Sequence, residues 1–264
     1  SVRLRTTLIL RFDYGLRVPW VSRLGDGRLR GVAGPHAVVV GTPVALEGDG
    51  RALTAEFEVA AGERVPFVLD YEPSHLPPPG PTDAYAALQQ TAGWWQEWSG
   101  RSRYAGDWQA AVSRSLITVK ALTGGIVAAP TTSLPEWPGG ERNWDYRYCW
   151  LRDATFTLRS LINAGYRGEA EAWCKWLLRA IGGCAARMQP LYGVAGEARC
   201  TEDTLEWLPG HLGSRPVRIG NGAHSQLQLD VYGNVVDALH EACAVGLELH
   251  SAIDQLQVEL LAQL

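Results

Sequence analysis

A change in the spacing of apolar residues near residue 80 is the feature that most restricts the fold of this chain. Before it, apolar and polar residues alternate, as in Leu53–Val59, which is typical of a half-buried β-strand. After it, apolar residues recur every three or four positions, as in amphipathic helices. The intervening Leu76-Pro77-Pro78-Pro79-Gly80-Pro81 predicts a stiff linker over residues 76–82, because each proline disfavours helix at the residue before it. The sequence therefore predicts a β part followed by a helical part.

The β part, residues 1–75, is predicted to be an antiparallel sandwich that is incomplete at its N-terminus. Strand candidates separated by Gly, Asp and Pro are residues 6–14, 37–46, 53–59 and 65–71. Because a turn at residues 61–64 separates the last two candidates, we expect them to form a hairpin. Several short strands in succession are typical of a sandwich or part of one.

The helical part, residues 83–264, is predicted to contain about six helices. Asp83 and Asp107 are candidate N-caps of the first two helices. The later predicted helices span residues 152–164, 169–181, 226–246 and 251–264. Irregular segments at 123–149 and 183–224 separate the helix pairs, and loops of that length in a compact domain are more often functional than not. We therefore expect the site to lie on loops held by a helical scaffold.

Composition and charge exclude several classes of function. A net charge of -4 gives no electrostatic reason to expect nucleic acid or a membrane surface as a partner. No run approaches the roughly 18 apolar residues of a membrane span, and the first residues lack a signal-peptide pattern. Five cysteines without a CxxC pair and six scattered histidines predict neither a disulfide framework nor a metal site. We expect no metal, no cofactor and a cytoplasmic location.

One segment of the first long loop combines the groups that a sugar site needs: Asn143-Trp144-Asp145-Tyr146-Arg147-Tyr148-Cys149-Trp150-Leu151-Arg152-Asp153. Arg152 and Asp153 supply donors and acceptors for two-pronged binding of neighbouring hydroxyls. Flat faces for the apolar sides of sugar rings come from Trp144, Tyr146, Tyr148 and Trp150. Eleven tryptophans against four phenylalanines add to the indication of carbohydrate. From chemistry alone, the alternative is a buried Arg–Asp pair that pins the loop to a helix.

This segment resembles the signature of glycoside hydrolase family 15, which contains glucoamylases, glucodextranases and bacterial trehalases. Further stretches resemble the family in the same order along the chain: residues 11–15 and 19–21 its N-terminal sandwich, 129–136 its first barrel loop, and 215–221 and 228–233 the next loop and helix. The resemblance covers nearly the whole chain. It implies a β-sandwich followed by an all-α (α/α)6 barrel, a six-hairpin glycosidase fold of which only about the first half is present.

The resemblance also implies roles for individual residues. Arg152 and Asp153 correspond to a pair that holds the outer hydroxyls of the terminal glucose. Tyr146 corresponds to a tyrosine near the ring oxygen of that sugar, and Trp150 to a tryptophan of the pocket wall. The remaining substrate-binding candidates are Trp144, Arg218 and Asn221.

The activity that the resemblance implies is inverting, exo-acting hydrolysis of an α-linked glucoside or of trehalose. Inversion needs a general acid and a general base about 6.5–9.5 Å apart. In the family both are glutamates, and their motifs do not occur in these 264 residues. The two glutamates are therefore expected beyond Leu264, and this fragment alone is expected to be inactive.

Two alternatives to hydrolysis stay open. The first is a catalytically inactive sugar-binding or assembly fragment, favoured by the absence of both glutamate motifs. The second is an (α/α)6 phosphorylase, although those proteins carry a different acid motif. Because half a barrel leaves apolar helix faces uncovered, the expected protein partners are the rest of the barrel or further copies of the chain.

Overall fold

The computed structural model of the protein describes the chain as two compact units, Ser1–Trp94 and Trp95–Leu264. The described residues are 1–48, 51–123, 125–181, 185–247 and 251–262. Antiparallel sheets come first and six helices follow, which confirms the order predicted from the apolar spacing. The domain bounds of 1–75, 76–82 and 83–264 stay predictions.

The first unit contains two antiparallel sheets. Its strands, over the described residues, are β1 (Val2–Leu8), β2 (Trp20–Arg23), β3 (Leu29–Ala33), β4 (His36–Gly41), β5 (Glu47–Gly48), β6 (Leu53–Val59) and β7 (Val68–Pro73). One sheet has the order β1-β6-β5 and the other β2-β3-β4-β7. The predicted strands 6–14 and 37–46 end early, at Leu8 and Gly41.

The hairpin predicted for the two most clearly alternating strands is wrong. β6 pairs with β1 and β5, whereas β7 pairs with β4 in the other sheet. Alternation indicates which face of a strand is buried and does not specify its partner. Residues 60–67 take the chain between sheets, and Pro66 lacks the N–H that a continuing ladder requires. A buried cluster contains side chains from both sheets and the segments beside them: Leu29, Val40, Leu46 and Leu53.

The second unit is mainly helical. Six α-helices lie in the described residues: α1 (Ala84–Ser99), which begins in the first unit, α2 (Gln109–Ala121), α3 (Leu151–Asn163), α4 (Arg167–Ile181), α5 (Asp230–Ala244) and α6 (Ser251–Leu261). Four two-residue strands accompany them: β8 (Cys149–Trp150), which pairs with β9 (Leu191–Tyr192), and β10 (Asp203–Thr204), which pairs with β11 (Arg218–Ile219). The predicted later helices are confirmed with ends shifted by a few residues, and residues 263–264 of the last lie outside the described chain. No helix within the described ranges is long and apolar enough to cross a membrane.

The two predicted N-caps have different outcomes. Asp83 caps α1, because its Oδ1 accepts hydrogen bonds from the backbone N–H groups of Tyr85 and Ala86, both at 3.0 Å. The prediction for Asp107 is wrong, since Trp108 occupies the N-cap position of α2 and makes no side-chain capping bond. Asp107 thus lies one residue too early to cap this helix.

Helices α3 and α5 lie side by side and run in the same direction, although α4 separates them in the sequence. Near their N-terminal ends, Arg152 pairs with Asp230 at 2.9 Å. Two turns further along α3 and three turns further along α5, Arg159 pairs with Glu241 at 3.0 Å. α4 packs against α3, and α6 packs against α5. Alternate helices are therefore direct neighbours, and each is covered by the helix that follows it.

The main core of the second unit lies among these four helices. Its fully buried side chains include Leu158, Trp176, Leu177, Val235, Leu239 and Leu260. A smaller cluster connects α1 and α2 to α4. There Trp98 stacks on Tyr166 at a centroid distance of 4.2 Å and donates its indole N–H to Glu169 at 2.6 Å. Lys120 of α2 pairs with the same carboxylate at 3.1 Å.

We expect Leu158→Ala in α3 to lower the free energy of unfolding by about 2–5 kcal/mol, because it leaves a cavity in the main core. Phe156, two positions earlier on the same helix, is 60% exposed and serves as the control. Phe156→Ala should change stability by less than about 1 kcal/mol. Urea denaturation followed by circular dichroism measures both, and equal losses in the two variants would contradict this description of the core.

Candidate functional site

The first long loop forms a short antiparallel ladder in which residues 127–133 run beside 144–148. Backbone hydrogen bonds of 2.9–3.2 Å join Ala128 N to Tyr148 O, Ala129 N to Tyr146 O, Tyr146 N to Thr131 O, and Ser133 N to Trp144 O. Side chains of an extended segment alternate between its two faces. Asn143 and Asp145 are completely buried, whereas Tyr146 is exposed. Asn143 and Asp145 therefore point inward, and the Tyr146 ring points outward.

The buried carboxylate of Asp145 connects the two long loops. Its two oxygens accept hydrogen bonds from Arg147 Nε at 2.9 Å and Arg147 Nη2 at 2.7 Å. The backbone N–H of Gly220, in the second loop, donates to the same carboxylate at 3.1 Å. Asn221 adds a hydrogen bond from Nδ2 to the carbonyl of Asp145 at 3.0 Å. Charge-assisted bonds such as these are the stronger class of hydrogen bond, so the carboxylate fixes both loops together.

A second set of contacts lies next to Asp145. Asn143 Nδ2 donates to the carbonyl of Pro216 at 2.6 Å, and Asn143 Oδ1 accepts from Arg218 Nη1 at 3.1 Å. The Ser133 hydroxyl accepts from the backbone N–H of Arg218 at 2.7 Å. Position 220 requires glycine, because its φ is +74° and a Cβ there would overlap the carbonyl of Thr201.

Trp144, Arg218 and Asn221 take part in this joining of the loops. The Arg218 guanidinium lies 4.5 Å from the centre of the Trp144 ring, within the range of a cation–π interaction. Arg218 also pairs with Glu202 at 3.3 Å. Asn221 is buried, and its Oδ1 accepts from the backbone N–H of Ala223 at 3.0 Å. These side chains thus contact other protein segments, and their role in binding a substrate stays a prediction.

Tyr146 and Trp150 form an aromatic pair immediately before α3. Their ring centroids are 5.9 Å apart with an angle of 42° between the planes. Trp150 belongs to β8, is almost fully buried, and packs with Leu191 and Cys200. The exposed Tyr146 ring therefore rests on a rigid tryptophan.

Arg152 and Asp153 lie in the first turn of α3. Arg152 Nη1 donates to Asp230 Oδ2 at 2.9 Å and to Gln228 Oε1 at 3.4 Å. Asp153 is exposed, and its carboxylate has no side-chain partner in the described part of the chain. The buried Arg152–Asp153 pair considered as an alternative is therefore absent from the described residues. The carboxylate and the guanidinium both lie where a ligand can reach them.

The N-terminal ends of α3 and α5 lie at one edge of the helical unit, since Arg152 and Asp230 join them. Partial positive charge at helix N-termini stabilises nearby carboxylates and other electron-rich oxygens. This edge therefore combines two helix ends, a guanidinium, an unpartnered carboxylate and the Tyr146–Trp150 pair. Such a set can bind a polyhydroxylated ring by hydrogen bonds and by stacking. Within the described residues, no group of three or more His, Cys, Asp or Glu side chains is arranged to hold a metal ion.

The sequence did not identify four of the residues that organise this site: Asn143, Asp145, Gln228 and Asp230. The available signal for the first two was the alternation of polar and aromatic residues from Asn143 to Trp150. That pattern indicates an extended segment. It does not indicate that the polar face is the buried one, because the partners of that face come from residues more than 70 positions later.

Cys149 lies beneath this loop and is a buried thiol rather than a reactive one. Burial raises the pKa of Cys149 to about 12, and the nearby Glu197 and Cys200 contribute smaller increases in the same direction. A thiol with such a pKa is almost entirely protonated at neutral pH and is a poor nucleophile.

Comparison with known proteins gives a consistent result. The family model described as "Glycosyl hydrolases family 15" matches residues 107–263. A trehalase of Thermoplasma acidophilum is 32% identical over 96% of this chain, and a trehalase of Mycolicibacterium smegmatis is 38% identical over 73% of it. A trehalase of Thermoplasma volcanium is 41% identical over 62% of it. The matches span 44%, 30% and 26% of those relatives, so the chain spans less than half of their length. No solved structure matches the chain significantly.

We expect Asp145→Ala to lower the free energy of unfolding by about 3 kcal/mol, because it removes both carboxylate bonds of Arg147 and the acceptor of Gly220 N. The control is Glu136→Ala, in which Glu136 loses an exposed ion pair with Arg142 that is 3.6 Å long. That change should cost less than about 1 kcal/mol. Chemical denaturation of the two variants tests the difference, and a similar small loss in both would contradict the linking role of Asp145.

At pH 8 we expect iodoacetamide to label Cys243 in the folded protein and to leave Cys149 and Cys174 unmodified. Burial raises the pKa of both protected thiols to about 12, whereas Cys243 is exposed. The reactive thiolate fraction of the buried pair is then about 10⁻⁴. Peptide mapping by mass spectrometry reads each site separately. After unfolding all three should react, and equal labelling of Cys149 and Cys243 in the native protein would count against the buried site.

Proposed function

The chain belongs to glycoside hydrolase family 15, and from this premise we propose that its loops hold the terminal sugar in an enzyme that hydrolyses an α-linked glucoside. The proposed reaction is exo-acting, inverts the anomeric carbon and releases glucose. The acid and base glutamates of that reaction are expected outside these 264 residues. The proposed role of this chain is therefore recognition of substrate.

One observation carries the proposal: Arg152 and Asp153 lie at a shared edge of two helix N-termini, directly after the tilted Tyr146–Trp150 aromatic pair. A terminal glucose presents adjacent hydroxyls on one side and an apolar ring face on the other. The unpartnered Asp153 carboxylate accepts from hydroxyls, and the Arg152 guanidinium donates to them. The exposed Tyr146 ring, which packs on Trp150, supplies a flat apolar surface.

The proposal includes the fold of the complete enzyme, a β-sandwich followed by an (α/α)6 barrel of which these six helices form the first half. The side-by-side packing of α3 and α5, each covered by the next helix, supports it because alternate helices are neighbours in such a barrel. Exposed apolar side chains on α6, Val258 and Leu261, further support it. Exposed apolar helix faces of this kind are typically buried against further protein segments.

Trehalose is the substrate that we favour. The three relatives described above are named trehalases, which supports trehalose over longer α-glucans. The location that we propose is the cytoplasm, since four cysteines of the described chain are free thiols: Cys149, Cys174, Cys200 and Cys243. Thiols persist in reducing compartments.

A second candidate function is an inactive sugar-binding or assembly fragment. The absence of both glutamate motifs from this sequence favours it. The two candidates differ in whether the polypeptide produced from the gene hydrolyses any α-glucoside. Production of glucose from trehalose by the purified full-length protein supports the enzyme, and sugar binding without turnover supports the alternative.

In the full-length protein we expect Asp153→Ala and Arg152→Ala each to lower kcat/KM for trehalose by about 10²–10³, since each removes charge-assisted bonds that strengthen in the transition state. Asp237→Ala is the matched control, because Asp237 is an exposed carboxylate on α5 with only a distant ion pair of 3.9 Å. Its kcat/KM should stay at the wild-type value. Wild-type kcat/KM in a folded Asp153→Ala variant would refute the proposed binding site.

A further inference from the structure

The first unit contains a polar cavity of about 460 Å³ that the proposed function does not use. It is lined by Phe12, Asp13, Tyr14 and Arg17 and by three residues of the turn at 33–36, Ala33, Pro35 and His36. Part of this lining belongs to the Arg11-Phe12-Asp13-Tyr14-Gly15 stretch, for which the sequence indicated only a family resemblance. The volume falls within the usual range of small-molecule sites.

Aromatic rings form one wall beside this cavity. Phe12 stacks on His36 with a centroid distance of 6.4 Å and an interplanar angle of 12°. His36 in turn contacts Tyr71, whose hydroxyl lies 2.7 Å from His36 Nδ1. The hydrogen bond fixes the orientation of the imidazole. His36 Nε2 then has no hydrogen-bond partner among the described residues, so it is available to a ligand.

Opposite charges lie next to these rings. Phe12 and Arg17 exchange backbone hydrogen bonds of 3.0 and 3.1 Å, which close a tight hairpin. The hairpin brings the Asp13 carboxylate to 3.3 Å from Arg17 Nε. In the described chain, the two terminal amino groups of that guanidinium have no hydrogen-bond partner. Asp13 and Tyr14 both adopt positive φ, at 51° and 53°, so the fold holds this arrangement at a cost in backbone energy.

We propose that this cavity binds a neutral pyranose sugar. Carboxylate and guanidinium together accept from and donate to neighbouring hydroxyls. The stacked Phe12 and His36 rings provide a flat surface for the apolar side of the ring. A neutral ligand fits best because an anion would meet the Asp13 carboxylate and a cation would meet Arg17. The inference depends on the lining of this cavity alone and not on the proposed hydrolysis.

The test is a sugar titration of the full-length protein carrying ¹³C-labelled histidine, observed by NMR. The His36 resonance is assigned as the one that disappears in His36→Gln. Methyl α-glucoside and trehalose, added to millimolar concentrations, should each shift this resonance saturably. Arg17→Ala should raise the Kd derived from the shift by at least about tenfold, because it removes the cationic half of the recognition pair.

Arg3→Ala is the matched control. Arg3 forms an exposed pair with Glu56 at the same distance of 3.3 Å, but in the three-stranded sheet. This variant should bind sugar with the wild-type Kd. Arg17→Lys keeps the charge and loses the two-pronged geometry, so it should weaken binding without the full loss of contacts in the hairpin. Thermal unfolding of each variant establishes that the first unit is folded.

Three results would overturn the proposal: no sugar-dependent shift of the His36 resonance, an unchanged Kd in folded Arg17→Ala and Arg17→Lys, or an equal shift produced by acetate or sulfate. The last result would identify an anion site instead. Asp153→Ala should leave the His36 titration unchanged, since Asp153 lies outside this cavity. Failure of the hydrolysis proposal and failure of this one are therefore observed in separate measurements.

Discussion

The arrangement of the candidate site depends on one buried charge. Removing a carboxylate from water costs several kcal/mol, and Asp145 offsets that cost with hydrogen bonds to Arg147 and to a backbone N–H of the second loop. The bond from Gly220 joins two loops that lack extensive regular structure of their own. The two loops are therefore held together by this polar contact and by the apolar packing of Trp150 on Leu191 and Cys200. The Tyr146 ring consequently keeps a fixed outward direction.

The relative direction of two helices is a second constraint on the site. α3 and α5 run parallel, so their N-terminal ends and the loops that precede them meet at one edge. Trp150 directly precedes α3 and Asp153 lies in its first turn, so the aromatic pair and the carboxylate are separated by less than one helical turn. A site that needs an apolar plane beside hydrogen-bonding groups is thus formed by the junction of loop and helix.

Local patterns predicted the elements of this chain better than the contacts between them. The period of apolar residues identified β4, β6, β7 and the later helices, because each of these segments buries one of its faces. It overlapped only the end of β1 and did not identify β2, β3 or β5. It did not identify the partner of β6, since several strands can cover the same alternating face. In the site, Arg152 and Asp153 were proposed from their chemistry together with the family resemblance. Asp145 and Asp230 were not, because their importance arises from partners that are distant in the sequence.

The ion pair between Arg152 and Asp230 has a consequence for ligand entry. The Asp230 ion pair already restricts the rotamers of Arg152. Binding would therefore cost less side-chain conformational entropy, by up to about 2 kcal/mol. The same guanidinium also joins the two helices through Nη1, so in the proposed site a sugar hydroxyl bound to Nη1 would compete with Asp230 for that donor. Ligand binding at the proposed site and the stability of the contact between α3 and α5 are in this way thermodynamically linked. A ligand that takes Nη1 from Asp230 would weaken the contact between α3 and α5, and a change that strengthens this ion pair would lower the affinity for the ligand.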